Sequence, residues 1–470
     1  MFSINLKTKL FFLPLEVKAR ELYPKLYFAS KALEKNYSCF IGDKAGIFRA
    51  TKYFNNGVYF YKSINSIDTD HIVKIKERNN KYIVQDEEGG FTLKFPSRYQ
   101  EEVLRNRTSK TNVNLIDKFF NWGKFDNRLC IKHYKKEKNK FSITGGLRFD
   151  ISTKPVVKKL YKDQIKKIND KYGKDYILIT TSHLSPKKDL KKTIRNDFYY
   201  SKIKNKKKLK DRLIILKELV KLNKKTKELL IYLTKKLPNK KFILRPHPSE
   251  SAKDWQSFFK KNSKTLNNTS LDLGSEINAL IFNSKILINS KSACGLHALM
   301  QKKRVISFVP KNKIKDDNKR IVDETGFLAE TMENVFLILT KKLNNKLISN
   351  KNKNSKIILD HIKNFNNKQN AAENILYEVN KFYNFKSNIS LLKILLLSPL
   401  YTLSDYFFKL FKKGFYDPKL SQIAIRTNLE KMGSNRLRKF EVINFFKNNN
   451  QLDKIKILSF GKSCFFICKK

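Results

Sequence analysis

Three short polar motifs hold the residue types that could do chemistry in this 470-residue chain. In chain order they are Glu87-Glu88-Gly89, Arg245-Pro246-His247-Pro248 and Asn289-Ser290-Lys291-Ser292. A carboxylate can accept a proton, a histidine can donate a hydrogen bond to a phosphate, and a serine-rich turn before a helix can hold a phosphate. Together these groups would serve a reaction in which a hydroxyl displaces a nucleotide phosphate.

His247 lies between two prolines, so its backbone is stiff and its position is well fixed. An imidazole at this place can offset the charge that grows on a departing phosphate. The alternative is a histidine that only caps a turn at the end of a strand. The neighbouring Arg245 and Glu250 favour the phosphate interpretation.

Ser290 and Ser292 follow an apolar run and precede a helical stretch. Serine is a preferred residue at a helix N-cap, so plain capping is one interpretation. Hydroxyls and free N–H groups in the same geometry bind phosphate. Both interpretations can hold for one residue.

Glu87 and Glu88 lie in a turn, where carboxylates are usually solvated. The functional interpretation is a base that deprotonates an acceptor hydroxyl. Adjacent like charges raise the pKa of one member, which suits that role. The glycines that follow would let a sugar approach the backbone closely.

The elements that must position these motifs follow an α/β pattern. Apolar runs predict strands at 10–15, 38–42, 82–85, 176–180, 241–244, 286–288 and 304–308, with helices at 24–35, 211–236 and 293–301. Strands that alternate with helices indicate parallel sheets, whose active sites lie at the carboxyl ends of the strands. Each motif follows a predicted strand and would lie at such an end.

We therefore predict an α/β, GT-B-like fold: two Rossmann-like, doubly wound domains facing a cleft, plus a helical C-terminal tail. Residues 1–155 would form the acceptor side with the base, residues 156–385 would bind the nucleotide-sugar donor, and residues 386–470 would form the tail. The tail is apolar and basic. It either packs across the domains or lies on an anionic membrane.

The loop after the first predicted strand is the expected acceptor side. Glu16, Lys18 and Arg20 lie there. Two roles stay open for them: contact with the acceptor, and an ion-pair network that shapes the loop.

Asp68-Thr69-Asp70 has the pattern of a metal-binding DxD. That pattern is common by chance, and the stretch around it has weak strand character. We expect no metal and no cofactor, because His247, Arg245 and the serines can handle the phosphate charge together with a helix dipole.

The amino-acid composition restricts the classes of partner and the cellular location that the sequence predicts. Lys and Arg number 99 against 42 Asp and Glu, a formal net charge of +57. Such a charge suits nucleic acid or an anionic membrane surface, but no nucleic-acid-binding motif is present and the lysines are spread along the chain. Five scattered cysteines, no signal peptide and no apolar run near roughly 20 residues predict a cytoplasmic protein, or one peripheral to the inner membrane face.

Segments between about residues 10 and 310 resemble bacterial surface carbohydrate biosynthesis proteins. The most specific are the opening Leu13–Leu22 and Asp86-Glu87-Glu88-Gly89; others are Ile41-Gly42, Trp122-Gly123, Thr144-Gly145, Arg148-Phe149-Asp150 and Arg245–Pro248. More distantly, the motif order is similar to bacterial sialyltransferases, polysialyltransferases and Kdo transferases of GT-B type. That resemblance implies Glu87 as base, His247, Ser290 and Ser292 as phosphate ligands, and inversion at a CMP-linked acidic sugar without metal.

Some positions depart from that pattern. Lys291 separates the two serines, and His297 stands where such enzymes often carry a Glu that holds the donor ribose. Lys302 and Arg304 replace the usual Gly and Pro of the next turn. His297 is therefore a donor-side residue of interest, and the donor itself stays open.

The sequence thus predicts a nucleotide-sugar-dependent glycosyltransferase of surface polysaccharide biosynthesis, acting on a glycan or lipid-linked glycan. Two alternatives stay open. One is a CDP-polyol phosphotransferase, and the other is a non-catalytic carbohydrate- or lipid-binding protein of a polysaccharide assembly complex.

Overall fold

The computed structural model describes residues 5–87, 104, 107–182, 190, 206–248, 250–310, 321–340, 356–366, 370–411 and 437–470. By their contacts these residues form two compact units. Unit 1 contains the described residues up to Ile151 and from Leu359 onward, and unit 2 contains those from Ser152 to Ile358.

The strands of the described residues are β1 (Asn5–Leu15), β2 (Tyr37–Asp43), β3 (Val58–Tyr61), β4 (Lys81–Gln85), β5 (Lys118–Asn121), β6 (Phe141–Ile143), β7 (Ile177–Thr181), β8 (Phe242–Arg245), β9 (Thr269–Leu271), β10 (Ile286–Ser290), β11 (Arg304–Phe308), β12 (Phe327–Ala329), β13 (Ser387–Ser390), β14 (Ile455–Ser459) and β15 (Cys464–Lys469). All of the strands predicted from apolar runs are among them.

The helices are α1 (Lys18–Glu34), α2 (Lys44–Tyr53), α3 (Thr69–Glu77), α4 (Lys110–Leu115), α5 (Lys124–His133), α6 (Leu147–Asp150), α7 (Lys154–Leu160), α8 (Lys162–Tyr172), α9 (Lys206–Lys236), α10 (Ala252–Lys261), α11 (Ile277–Asn283), α12 (Cys294–Met300), α13 (Met332–Leu339), α14 (Ala371–Asn380), α15 (Leu391–Phe411) and α16 (Lys439–Asn448). The first helix begins at Lys18, earlier than the predicted start at Pro24, so Lys18 and Arg20 lie on a helix and not in a loop.

Unit 1 is built on a sheet in the order β14-β15-β2-β1-β3-β4-β5-β6, with β13 paired to β1. Strands β1 to β6 are parallel, whereas β13, β14 and β15 pair antiparallel. Residues Leu10 to Leu13 of β1 are fully buried, as expected for a strand that is covered on both faces. The strand order reverses between β1 and β3.

Unit 2 has a six-stranded sheet in the order β12-β11-β10-β7-β8-β9, with every pair parallel. Counted from β7 as the unit's first strand, this is the 3-2-1-4-5-6 order of nucleotide-binding Rossmann sheets. The order reverses between β7 and β10. Its core contains apolar residues of the strands and of α9, including Leu229, Leu230 and Leu233.

The chain is thus α/β with two Rossmann-like units, which confirms the predicted fold class. The described residues of the segment 386–470 contain the helices α15 and α16 and three strands, which belong to the sheet of unit 1. Contacts place the return to unit 1 at Leu359, before the predicted segment boundary at 385.

Candidate functional site

The carboxyl edge of the unit 1 sheet holds an ion pair where the strand order reverses. Glu16 follows β1 and Lys62 follows β3, and Lys62 Nζ lies 3.0 Å from Glu16 Oε2. Burial acts to lower the pKa of Lys62, but Glu21 and Glu16 outweigh it and the pKa is raised. Open α/β sheets bind ligands at such a reversal, so Glu16 has the position predicted for an acceptor-side residue.

Glu21 fixes the chain that carries Glu16. Its buried carboxylate accepts hydrogen bonds from the backbone N–H of Glu16 at 2.8 Å and of Val17 at 3.2 Å. These bonds satisfy donors at the start of α1, where a negative charge is also favoured by the helix dipole. The sequence places Glu21 in the same cluster as Glu16, Lys18 and Arg20, and its contacts make it a positioning residue.

Lys18 and Arg20 are held by ion pairs within unit 1. Lys18 Nζ lies 2.6 Å from Glu441 on α16, and an Arg20 guanidinium nitrogen lies 3.4 Å from Glu21. Of the two roles left open for these cations, the described contacts favour an ion-pair network, which here holds the start of α1.

Glu87 follows β4 and is only 4% exposed. Burial raises the pKa of Glu87, and the charge of Glu21 raises it further, while Lys25, Arg20 and Arg148 act in the opposite direction. A carboxyl group with a raised pKa is suited to take a proton near neutral pH. Glu88, the other predicted catalytic carboxylate, lies outside the described residues.

Lys25 is a buried cation whose charge acts on Glu87. Its ammonium donates to the carbonyl of Phe60 at 2.9 Å and lies 3.6 Å from the centre of the Phe60 ring. Burial lowers its pKa to about 8, although Glu87 and Glu21 oppose that shift. Lys25 lies four residues after Glu21, a spacing that brings two side chains together on a helix. This spacing is the sequence signal that could have linked Lys25 with Glu21.

In unit 2, the serine motif lies where the strand order reverses. Ser290 ends β10 and is paired in register with Thr181, which ends β7. Both residues are buried, and so is Ser292. Lys291 between the serines has φ of 56°, so the chain turns sharply at this point.

The serine turn is ordered by Asn289. Its side-chain oxygen accepts from the Ser292 N–H at 3.1 Å, and its amide nitrogen donates to the carbonyl of Val322 at 3.0 Å. Ser292 Oγ accepts from the Cys294 N–H at 3.3 Å, although the N-cap of the helix is Ala293, the residue after Ser292. The helix that follows has only seven residues.

His247 follows β8 and its side chain is exposed. Its N–H donates to Glu250 Oε1 at 3.2 Å, and the Glu250 N–H donates back to the His247 carbonyl at 2.8 Å. Glu250 also accepts from Thr181 Oγ1 at 2.7 Å and from Trp255 Nε1 at 2.9 Å. Glu250 therefore ties the His247 turn to the end of β7.

The strand spacing gives the separation of the two motifs. Strands β8 and β10 are separated by β7, and neighbouring strands lie about 4.8 Å apart, so their ends are about 10 Å apart. The structure thus brings the histidine and serine motifs to one edge of one sheet.

Arg245 is paired with acidic residues of its own unit. Its Nε lies 3.6 Å from Asp272 Oδ1, and no hydrogen-bond partner of this Nε lies within the described part of the chain. Burial acts to raise the pKa of Asp272, but hydrogen bonds from Ser275 and Tyr172 and the charge of Arg245 outweigh it and lower the pKa. The sequence interpretation missed this pairing.

Glu276 is the second acid near Arg245. Burial raises its pKa to about 7, against the charge of Arg245 and the N–H of Ile277. Both acids follow β9 in the segment Asp272-Leu273-Gly274-Ser275-Glu276, and that position after a strand was the available signal.

His297 is buried in α12, and its Nδ1 lies 2.6 Å from Ser152 Oγ. This contact connects α12 to the first residues of unit 2. It gives His297 a packing role in addition to the predicted donor-side role.

The Asp68-Thr69-Asp70 segment has a structural explanation. Asp68 accepts from Ser63 Oγ at 2.8 Å and lies 3.7 Å from Lys44 Nζ. Within the described ranges, no group of three His, Cys, Asp or Glu residues could hold a metal ion.

No protein-family model matches the chain, and no curated protein matches it. Solved structures do match. UDP-GlcNAc 2-epimerase from Neisseria meningitidis, bound to UDP-GlcNAc, is 11% identical, with a TM-score of 0.49 over 79% of this chain and 99% of its own. The wall teichoic acid polymerase TagF is 13% identical, with a TM-score of 0.45 over 80% of this chain and 89% of its own.

A glycosyltransferase from Rickettsia africae is also 13% identical, with a TM-score of 0.43 over 80% of this chain and 98% of its own. With TM-scores below 0.5, these similarities decide neither the reaction nor its substrate.

Proposed function

We propose that this protein is a nucleotide-sugar-dependent glycosyltransferase of surface polysaccharide biosynthesis. The observation that carries the proposal is the position of two motifs in unit 2. The His247 turn and the Ser290–Ser292 turn lie at one carboxyl edge of a sheet with the nucleotide-binding strand order, and the serine turn lies at the reversal.

On the donor side, His247 donates a hydrogen bond to the nucleotide phosphate, and the hydroxyls of Ser290 and Ser292 hold its oxygens. The exposure of His247 supports this role, because its ring can be reached by a ligand. A positive or hydrogen-bonding group there stabilises the charge that develops as the phosphate leaves. Arg245 precedes His247 by two residues and is itself ion-paired with Asp272.

On the acceptor side, Glu87 takes the proton of the acceptor hydroxyl. The hydroxyl oxygen then forms a bond to the anomeric carbon while the bond from that carbon to the phosphate oxygen breaks, and the nucleotide leaves with the electron pair. One displacement of this kind inverts the anomeric centre. The raised pKa of Glu87 supports its role as base.

A CMP-linked acidic sugar is the donor that we propose, from the motif order, and a glycan or lipid-linked glycan is the acceptor. The place of action is the cytoplasmic side of the membrane. No metal takes part in this proposal, since His247, Arg245 and the serine turn handle the phosphate charge.

The test is a transfer assay with purified protein and a panel of CMP-linked acidic sugars, scored by nucleotide release and by product. Glu87→Gln and His247→Ala should each lower transfer at least about a hundredfold, as expected for loss of a base or of a phosphate ligand. The exposed carboxylate Asp70 offers a matched control, and Asp70→Asn should retain full activity.

The donor panel separates the alternatives. Consumption of CDP-glycerol or CDP-ribitol, and not of CMP-sugars, would replace the proposal with a CDP-polyol phosphotransferase. If no donor is consumed and Glu87→Gln still restores polysaccharide assembly in cells, the protein has a non-catalytic binding role.

A further inference from the structure

Over residues 391–403, helix α15 (Leu391–Phe411) is apolar on two opposite faces. Its inner face is anchored in unit 1, where Ile394 is fully buried and Leu391, Leu397 and Tyr401 pack on the core. Soluble helices normally pair one apolar face with a polar one. The second apolar face of α15 therefore requires an explanation.

The outer face consists of five leucines, which we name the leucine face. Their exposed fractions are 50% at Leu392, 55% at Leu395, 64% at Leu396, 61% at Leu400 and 55% at Leu403. Steps of three, one, four and three residues keep them on one side of a helix. Contiguous exposed apolar surface of this kind marks an interaction site.

The leucine face cannot be hidden by rotation of the helix. The residues just before it form β13, which pairs with β1 from Asn5↔Ser390 to Thr8↔Ser387. Turning the leucines inward would expose Ile394 and its neighbours instead. The face is thus held outward by the structure of unit 1.

Lysines lie around the N-terminal end of this face. Lys386 and Lys393 are exposed, as are Lys7 on the paired strand and Lys52 at the end of α2. Lys393 Nζ lies 5.1 Å from the ring of Tyr53, the residue after Lys52, which places these two lysines near one another. The first turn of α15 has no acidic residue.

The exposed leucines and the neighbouring lysines together match the surface of an anionic lipid bilayer in polarity and in charge. Acyl chains near the headgroups cover the leucines, and anionic headgroups meet the lysines. Phe385, 58% exposed just before β13, adds an aromatic side chain of the kind that prefers this interface. Among the helices of the described residues, none is long and apolar enough to cross a membrane.

We propose that the leucine face of α15 binds the surface of an anionic lipid bilayer and lies within its headgroup region. This inference goes beyond the proposed reaction and does not depend on it. If the protein showed no transfer activity, the inference of membrane binding would be unaffected. If it did not bind membranes, the proposed transfer reaction would be unaffected.

Flotation of the full chain with lipid vesicles tests the inference. The vesicles contain either phosphatidylcholine alone or phosphatidylcholine with phosphatidylglycerol. The wild type should partition onto the anionic vesicles, and Leu396→Ser/Leu400→Ser should lower the partition coefficient at least about tenfold. Ile67→Ser is the matched control, because Ile67 is 61% exposed but lies elsewhere in unit 1, and it should bind as wild type.

Thermal unfolding of the double variant should match the wild type, because both leucines are exposed. Equal binding by wild type and double variant would overturn the inference, since general positive charge would then explain the binding. Absence of binding to anionic vesicles would also overturn it. If light scattering also finds a wild-type dimer that the double variant converts to a monomer, the leucine face binds a second copy instead.

Discussion

Thr181 Oγ1 donates a 2.7 Å hydrogen bond to Glu250 Oε1. Thr181 ends β7 and pairs in register with Ser290, whereas Glu250 holds the backbone turn of His247. This bond therefore couples the two motifs that we assign to the donor phosphate. Neither Thr181 nor the bond is evident from the spacing of the motifs.

Thr181→Val removes this bond with little change in volume. We expect a loss of about 1–2 kcal/mol in the free energy of unfolding, because a partly buried carboxylate loses one of its donors. Urea denaturation measures it. Thr340→Val is the control, since in the part of the chain that the structure describes the Thr340 hydroxyl bonds to carbonyls of the preceding helical turn. Equal effects of the two substitutions would contradict the coupling.

Asp150 holds together two chain segments of unit 1. Its carboxylate accepts from the N–H groups of Ala371 and Ala372 at 2.9 Å and from Asn364 Nδ2 at 2.6 Å. Asp150→Ala leaves these donors without that acceptor, and we expect about 2–4 kcal/mol of destabilisation. The exposed ion pair of Asp360 with Arg128 provides the control. Asp360→Ala should cost less than about 1 kcal/mol.

The burial of His361 predicts that the free energy of unfolding decreases in acid. It is buried against the Phe125 ring, and burial lowers its pKa to about 4, with Arg128 acting in the same direction and Asp360 against it. The unfolded chain has a histidine pKa near 6.5, so it binds the proton first as the pH falls. Stability is thus full above about pH 6.5 and is lost progressively down to about pH 4.

The loss attributable to His361 is on the order of 3 kcal/mol over that range. His361→Phe should flatten the dependence of the free energy of unfolding on pH, measured by denaturation at a series of pH values. An unchanged slope in His361→Phe would refute this assignment.

The buried charges around Glu87 predict opposite shifts in the pH–rate profile of transfer. Glu21 raises the pKa of Glu87 and Lys25 lowers it. If Glu87 is the base, activity appears as its carboxyl group ionises. Glu21→Gln should move the acidic limb to lower pH, and Lys25→Met should move it to higher pH. Shifts in the same direction would exclude Glu87 as the titrating group.

The sequence predicts the strands that carry the site because these strands are continuous apolar runs. Tyr176–Thr180 and Ile286–Ile288 were recognised in this way. The hairpin of β14 and β15 was not predicted, although Cys464–Lys469 is largely apolar. Strand β15 pairs with β2, which lies more than four hundred residues earlier in the chain. Pairing over such a distance leaves no local pattern.

The candidate site can be predicted only in part from the sequence, for a similar reason. Positions after strands identified Glu16, Glu87, His247 and Ser290. Burial of charged groups was not predictable, because Lys25 is held by the carbonyl of Phe60 and by Glu87, which come from other segments of the chain, as well as by Glu21 of its own helix. Arg245 likewise meets Asp272 only when β9 lies beside β8.

Nucleotide binding by unit 2 is the central claim, and ligand-induced thermal stabilisation tests it most directly. CMP, CDP, UDP, GDP and ADP are compared side by side on the wild type, on His247→Ala and on the Asp70→Asn control. We predict selective stabilisation by CMP that is lost in His247→Ala and kept in Asp70→Asn. Stabilisation by none of the five nucleotides, or stabilisation by CMP that His247→Ala leaves unchanged, would contradict the account.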